Sequence, residues 1–211
     1  MNVYIWTDQW SPWENTIAYY PFRDDILDHS WNNKNFTWTS WNYSFSNNTI
    51  TISSDYLSWP LVTPEWTTWD RTISIWQIWP TAQNGGTFSF RQGSSWTDWY
   101  LKGVDAENWN RPWAALKPGS TRYRNRPSSV SIWSSFLMTW TKTGTTMKLY
   151  LNGVLVSTTT LNTATWNYAY SQPTWTRLYR WTYWEIIIED KVRTDVEILN
   201  YYNSAKSNYG L

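Results

Sequence analysis

Two glutamates near the carboxyl end are the residues best placed for acid–base chemistry. Glu185 and Glu189 stand at the two ends of the run EIIIE. Side chains alternate along a strand, so this even spacing puts both carboxylates on one face of a sheet. Glycan hydrolysis with retention needs two such carboxylates about 5 to 5.5 Å apart. The residues between them are isoleucines, and Lys191 and Arg193 follow. We therefore favour a solvated pair of glutamates at a sheet edge, with Lys191 and Arg193 nearby, over a catalytic pair.

Other reactive groups are few. The chain contains no cysteine and a single histidine, His29, which lies in a polar turn and is expected to face solvent. The sequence has no glycine-rich phosphate loop and no histidine-rich metal motif. Ser/His/Asp catalysis, nucleotide chemistry and zinc chemistry therefore find no support.

Aspartate and asparagine are concentrated in two segments, FRDDILDHSWNN and VDAENWN. The first contains Asp24, Asp25, Asp28, Asn32 and Asn33, and the second contains Asp105, Asn108 and Asn110. Such side chains often bond to their own backbone in turns, and this is the favoured interpretation. Because loops carry these residues while the strands carry Thr, Ser and apolar residues, we expect any ligand at a loop on the rim of the fold.

Sugar binding normally combines an aromatic face with amide or carboxylate partners. Aromatic residues make up 20% of the chain, although a tyrosine on a strand more often packs than binds a ligand. Scattered Arg and Lys residues run from Arg111 to Arg126, a pattern that could contact an acidic polymer but is typical of a solvated face. The predicted ligand-binding residues are Asp105, Asn108, Asn110, Arg111, Tyr123 and Tyr168.

The elements that must position these residues are β-strands. Charged residues are only 16% of the 211, against about 25% in typical domains, and short β-type segments recur between turn residues. This pattern predicts a sandwich or barrel and excludes an all-α fold. The predicted strands are 16–22, 42–46, 49–53, 71–79, 87–92, 129–133, 135–142, 146–151, 154–160, 176–180 and 184–190. Residues 94–127 are predicted to form loops and short edge strands.

Two local signals are clear. Asn152-Gly153 supplies the two positive-φ positions of a type I′ hairpin turn. A single helix is predicted from Thr194 to about Ser204, with a capping box formed by Thr194 and Glu197, and it is expected to pack Val196 and Leu199 on the sheet. The predicted core side chains are Val130, Ile132, Leu137, Met138, Leu149, Leu151, Ile186 and Ile188.

Charge and hydropathy exclude several classes of partner. Seventeen Lys and Arg against sixteen Asp and Glu leave a net charge of +1, which offers no field to attract nucleic acid or an anionic membrane. No apolar run approaches the roughly 18 residues of a membrane-spanning helix. The start, MNVYIWTDQW, lacks the pattern of a signal peptide. If the protein works outside a cell, we expect the chain to be a fragment or to be released by lysis.

Five segments in order resemble a known family. KLYLNGVLVS resembles the "lYvNGv" hairpin of concanavalin A-like, laminin G-like jelly-roll domains, and TRLYRWTYWEIIIEDKVRTDVEILNYYN resembles the strands and terminal helical turn that follow it. IAYYPFRDDILDHSWNN and TISIWQIWPT resemble the opening segments "yyPl...l.D.SGNg" and "ftisaWvkP". The resemblance covers about Thr16 to Leu211, so residues 1–15 are interpreted as an N-terminal extension of one domain, 16–211. It implies an all-β sandwich of two antiparallel sheets with a short C-terminal helix.

The resemblance also bears on function. Members include lectins, adhesion modules, glycan-hydrolase domains and modules of bacterial surface or phage fibre proteins. The hydrolase relatives carry Glu-x-Asp-x-x-Glu on one strand, and this sequence lacks that string. Relatives often bind Ca²⁺ at the rim, which makes Asp24, Asp25, Asp28 and Asn32 the candidate ligands if calcium is a cofactor.

Three functions stay open. The favoured one is a non-catalytic module that binds a polysaccharide or cell-surface glycan, or is adhesive, on a bacterial surface appendage or phage particle. Such a module would be extracellular, at the cell surface or on a virion, and part of a larger chain or assembly. The alternatives are a glycan-cleaving enzyme with displaced carboxylates and a structural spacer or decoration domain.

Tryptophan is abnormally frequent, with 21 Trp against 8 Gly, whereas an ordinary glycine content of about 7% would give roughly 15. On the family pattern, Trp31, Trp181 and Trp184 stand where glycine is expected, while Trp76 matches the family's own tryptophan. Turn positions with positive φ suit glycine and penalise a bulky side chain. We hypothesise that the source reads UGA as glycine and that the sequence translates it as tryptophan. The alternative is a tryptophan-rich binding surface.

Overall fold

The computed structural model describes two antiparallel sheets and a C-terminal helix. Side chains are described for residues 15–33, 35–36, 43–53, 70–78, 135–161 and 182–211, and six further strands are described by their backbone. The eight-stranded sheet contains β1 Thr16–Tyr20, β2 Tyr43–Ser46, β3 Thr49–Ile52, β5 Arg71–Ile78, β10 Phe136–Thr143, β11 Thr146–Leu151, β12 Val154–Thr160 and β14 Thr182–Glu189. The six-stranded sheet contains β4 Tyr56–Pro60, β6 Phe88–Gln92, β7 Asp98–Lys102, β8 Trp113–Leu116, β9 Tyr123–Asn125 and β13 Thr174–Tyr179. The predicted fold, a two-sheet jelly-roll sandwich with a short C-terminal helix, is confirmed.

The strand order places β14 in the interior of its sheet. The order is β12-β11-β10-β5-β14-β3-β2, and β1 pairs with β14 beside β3. Along one edge β14 pairs with β5, and along the other it pairs first with β3 and then with β1. In the second sheet the order is β4-β13-β6-β7-β8-β9. The end of the chain is thus joined to its beginning through backbone hydrogen bonds.

The two faces of the eight-stranded sheet have different cores. One face buries Met138, Leu149, Leu151, Ile186 and Ile188, as predicted. The opposite face, called here the outer face, carries the helix. Leu137 is buried as predicted, but on the outer face with Trp76 and Ile187. Val130 and Ile132 lie outside the described residues.

The helix α1 spans Asp195–Ala205 and is followed by a 3-10 helix, Lys206–Tyr209. Thr194 and Glu197 form the predicted capping box. The predicted packing face is wrong, because Val196 and Leu199 are 66% and 41% exposed. The buried residues are Ile198, Tyr201 and Ala205. These buried residues form a different face of the helix. One of them is a tyrosine, whose hydroxyl bonds to the polar groups on the sheet below.

The Asn152-Gly153 turn joins β11 to β12 and packs on the helix. Asn152 has φ 50° and Gly153 has φ 80°, which confirms the type I′ geometry. A Cβ on Gly153 would lie 3.0 Å from the Tyr202 Cβ and 3.1 Å from the Leu199 Cα. Two features therefore require glycine at this position: the backbone angle and the close approach of the helix.

Four strands have bounds that the sequence did not predict. Three of them, β7, β8 and β9, fall in the segment predicted as loops and short edge strands. Only β9 lies at the edge of its sheet, since β7 and β8 are paired on both sides. The fourth, β4, is an edge strand that ends in Pro60. The predicted strand 129–133 lies outside the described residues, as do residues 1–14 of the predicted N-terminal extension.

Candidate functional site

The predicted ligand-binding set falls largely outside the part of the chain that the structure describes. Asp105, Asn108, Asn110, Arg111 and Tyr168 are not among the described residues. Tyr123 begins β9, the last strand of the six-stranded sheet, and is described by its backbone alone. A rim site built from these residues therefore stays a prediction.

Asp28 anchors the loop that follows β1. Its Oδ1 accepts hydrogen bonds from the backbone N–H groups of Tyr19 and Ser30, each at 2.9 Å. Its Oδ2 accepts the Ser30 hydroxyl at 2.8 Å. The side chain is nearly inaccessible, with 6% of the residue exposed. Both carboxylate oxygens thus hold the loop against the strand.

The neighbouring polar residues also bond within the loop. Asp25 accepts from the Leu27 N–H at 3.0 Å and lies 3.1 Å from the His29 Nε2. The His29 side chain is 43% exposed, as predicted for a polar turn. The Asn32 amide donates to the carbonyl oxygens of residues 16 and 17, at 2.9 and 3.1 Å. Asp24 lies in the same loop, but no described contact joins it to these groups.

These contacts do not form a cation cage. Within the residues described with side chains, no three His, Cys, Asp or Glu residues are grouped so that they could hold a metal ion. The carboxylates of Asp25 and Asp28 are directed at different partners and are already engaged. The arrangement fits turn chemistry rather than calcium ligation, and calcium binding stays a prediction to be tested by titration.

Glu185 is buried, and its predicted solvation is wrong. The residue is 3% exposed and lies on β14 beneath the helix. Its Oε2 accepts the hydroxyls of Tyr19 at 3.0 Å and Tyr209 at 2.9 Å, and its Oε1 accepts that of Tyr201. The Trp76 Nε1 donates to the Tyr201 oxygen at 2.9 Å. Burial raises the pKa of Glu185, and the three tyrosine hydrogen bonds oppose that shift.

Glu189 is likewise buried rather than solvated, with 1% exposed. Arg193 donates to it from Nε at 3.0 Å. Burial raises the pKa of Glu189, while the hydrogen bond from Arg193 acts against the shift. Lys191 and Arg193 also bind Glu197, at 2.6 and 3.3 Å. The nearness of Lys191 and Arg193 was predicted, but not the interior position of β14, where α1 and the loop before it cover the strand.

A cavity of about 400 Å³ opens on the part of the outer face that the helix leaves uncovered. We call it the outer-face cavity. Strands β10 and β11 supply its floor and one wall through Thr141, Thr143, Thr146, Lys148 and Tyr150, and residues 192–196 supply the other wall. Sequence reasoning missed it because a ligand was expected at the rim loops rather than on strands that carry threonine and apolar residues.

The polar groups of the cavity are linked in series. The Tyr150 hydroxyl donates to Asp195 Oδ1 at 2.7 Å. Lys148 Nζ donates to the same oxygen at 2.9 Å. Hydrogen bonds from Tyr150 and Lys148 hold the pKa of Asp195 below its ordinary value. The mouth of the cavity therefore carries an oriented carboxylate beside an ammonium group.

Comparison with known proteins supports the fold through structure alone. No protein-family model and no curated protein matches the sequence. Among the described residues, no helix is long and apolar enough to cross a membrane.

Several solved structures share the sandwich. One is botulinum neurotoxin type C, described as depending on two ganglioside molecules to enter cells, with a TM-score of 0.67, 15% identity, and coverage of 90% of this chain and 51% of that one. Domain 4 of AbnA, a GH43 extracellular arabinanase from Geobacillus stearothermophilus, in complex with arabinotriose, gives 0.69 and 15%, covering 88% and 97%. The CBM40 of the Ruminococcus gnavus IT-sialidase, bound to α2,3-sialyllactose, gives 0.59 and 14%, covering 73% and 96%.

These similarities cover different shares of the matched chains. The chain spans about half the length of the botulinum neurotoxin chains that it matches, and nearly the whole of the other two. Identities of 14 to 16% establish a shared fold and no shared site. The chain is therefore similar in fold to β-sandwich domains that bind carbohydrates.

Proposed function

We propose that this chain is a non-catalytic glycan-binding module. The observation that carries the proposal is the sandwich itself, which has the fold of a domain solved with arabinotriose and of another solved with sialyllactose. In both cases the matched region is almost the entire sugar-binding module. Because fold does not determine function, binding must be tested directly.

The structure gives the glycan-cleaving alternative little support. Two carboxylates must reach the scissile bond from opposite sides. Glu185 and Glu189 share one face of β14, but they are 3% and 1% exposed and accept hydrogen bonds from tyrosines and from Arg193. Within the described residues these two glutamates stabilise the fold, so they are poor candidates for catalysis.

The principal glycan site is proposed at the rim, on the loops that contain Asp105, Asn108, Asn110 and Arg111, with Tyr123 and Tyr168 as aromatic partners. Loops on a rigid sandwich commonly carry recognition residues. We also propose the laminin G-like subdivision of the fold, and an extracellular place on a bacterial surface appendage or phage particle. A calcium titration followed by isothermal calorimetry tests whether a metal contributes.

A glycan array with the purified chain tests the function, with release of reducing sugar measured on every glycan that binds. We expect binding without release of sugar. Arg111→Ala should weaken binding to the principal glycan about tenfold, since hydrogen bonds to charged groups contribute about 1.5–3 kcal/mol. Asn208→Ala, a change at an exposed residue of the 3-10 helix, should leave it unchanged.

Two outcomes would overturn the proposal. Release of sugar that is abolished by Glu185→Gln or Glu189→Gln would establish the enzyme alternative. Absence of binding to every glycan on a broad array would leave the spacer or decoration domain.

A further inference from the structure

Among the residues that the structure describes, only the helix region covers the outer face of the eight-stranded sheet, and it covers that face in part. The helix lies over Trp76, Leu137 and Ile187, and it begins at Asp195, so the threonine-bearing ends of β10 and β11 remain open beside it. The space left there, about 400 Å³, falls within the usual range of small-molecule sites, roughly 300–1,000 Å³. Its size suits a monosaccharide or disaccharide unit.

The cavity is organised before any ligand arrives. Tyr150 is 1% exposed, and its hydroxyl supports Asp195 from below. The groups at the mouth stay accessible, because the side chains of Lys148 and Asp195 are 33% and 54% exposed. The carboxylate and the ammonium group are held together by a hydrogen bond to one carboxylate oxygen. The carboxylate can accept a hydrogen bond from one hydroxyl of a ligand, and the ammonium group can donate one to the neighbouring hydroxyl.

The charges of the cavity are balanced. Lys148 is paired with Asp195 at 2.9 Å, and Arg193 is paired with Glu189 and Glu197. An anionic or cationic ligand would therefore meet no uncompensated opposite charge. A neutral ligand with several hydroxyl groups meets donors and acceptors on both walls, including the hydroxyls of the lining threonines.

The helix N-terminus beside the cavity does not turn it into an anion site. Free N–H groups at a helix start attract anions. Here the Thr194 hydroxyl accepts from the Glu197 N–H at 3.2 Å, and the Glu197 carboxylate accepts from the Thr194 N–H at 2.7 Å. Although partial burial opposes it, hydrogen bonds from Lys191 and Thr194 lower the pKa of Glu197 to about 2. The protein thus supplies its own anion at this terminus.

We propose that the outer-face cavity is a second saccharide site, selective for neutral sugars. Asp195 and Lys148 bind adjacent hydroxyls of the sugar, Thr143 and Thr146 bind others, and Val196 contacts its apolar side. The cavity is lined by none of the residues proposed for the rim site, so each site can fail without the other.

The test is an array of neutral oligosaccharides, with their uronic acid and amino sugar counterparts alongside, probed with the wild-type chain and three variants. We expect neutral glycans to be bound, with at least a tenfold loss in Lys148→Gln/Asp195→Asn, a double change that keeps the net charge. Thr146→Val, which replaces one hydroxyl by a methyl group, should lose about threefold. Ser44→Ala serves as the control, because Ser44 is exposed on β2 at the opposite edge of the same sheet.

Folding of each variant is checked by its thermal unfolding midpoint, and the substituted residues are exposed or half-buried, so folded protein is expected. Binding of neutral sugars that survives the double change but is lost in Arg111→Ala would overturn the second site and leave the rim site standing. Preference for charged glycans at the cavity, or no neutral glycan bound at all, would also overturn it.

Discussion

The outer face of the eight-stranded sheet has two halves in which similar polar residues have different roles. In the covered half, Glu185 accepts three tyrosine hydroxyls and is sealed beneath the helix. In the open half, Tyr150 and Lys148 bind Asp195 at the edge of a cavity that solvent reaches. The difference lies in the helix, whose first residue marks the border between them. Polar groups under it stabilise the fold, and those beyond it are available to a ligand.

The largest effect is expected from the helix face that meets the covered half. Ile198→Ala should lower the free energy of unfolding by about 2–5 kcal/mol, because Ile198 is 2% exposed and the change leaves a cavity. Val196→Ala is the control on the opposite side of the helix, where the residue is 66% exposed, and should change stability by less than about 0.5 kcal/mol. Urea unfolding measures both. Equal losses for the two variants would show that the helix packs by another face.

The contact between hairpin and helix comes next. Gly153→Ala should cost about 2–4 kcal/mol, because the left-handed backbone penalises any side chain and the new Cβ meets the helix at 3.0 Å. Gly144→Ala provides a match, since Gly144 has φ +52° and an added Cβ meets nothing within 4 Å. Its cost should be only the backbone part, about 1 kcal/mol. The difference between their unfolding midpoints isolates the docking of the helix, and no difference would contradict it.

The enclosed carboxylate should show itself in the pH dependence of stability. Burial raises the pKa of Glu185 above its unfolded value of about 4.3. The folded state therefore holds this proton more tightly, and the resulting stabilisation is fully present below about pH 4 and is lost as the pH rises through the folded-state pKa. Glu185→Gln should cost about 1–3 kcal/mol near pH 4, and the advantage of the wild type should shrink toward neutral pH. Urea unfolding at several pH values measures it, and an advantage that grows with pH would contradict the prediction.

The smallest effect concerns tryptophan. Trp31 is 82% exposed, so Trp31→Gly should change stability by less than about 1 kcal/mol, whereas Trp76, which is buried in the covered half, should not tolerate glycine. The positive-φ basis of the recoding hypothesis is wrong at the two testable sites. Among the described residues, the non-glycine residues with left-handed backbone do not include Trp31 or Trp184. UGA codons at Trp31 and Trp184 with UGG at Trp76 would still support recoding, and UGG throughout would reject it.

Local signals in the sequence predicted local structure well. Strands β11 and β12 have their predicted bounds because the Asn152-Gly153 turn fixes the register on both sides. The capping box places the start of the helix equally well. The helix face could not be predicted, because the partner of Tyr201 is set by which strand lies beneath it. Glu185 could not be placed either, since one of its donors, Tyr19, is 166 residues away.

The candidate site was harder still. Asp28 bonds to its own loop and to Tyr19, which supports the turn interpretation made from composition. The outer-face cavity joins Tyr150 to Asp195 across 45 residues, and no motif in the sequence links these positions. Only the fold brings them together.

The most direct test is an NMR titration of the ¹⁵N-labelled chain with a neutral oligosaccharide that the array identifies. We expect shifted amide signals at Thr143, Thr146 and Lys148, and unchanged signals at Ile187 beneath the helix and at Tyr201 on the buried face of the helix. Signals that stay fixed throughout the open half, or that shift beneath the helix instead, would contradict this expectation.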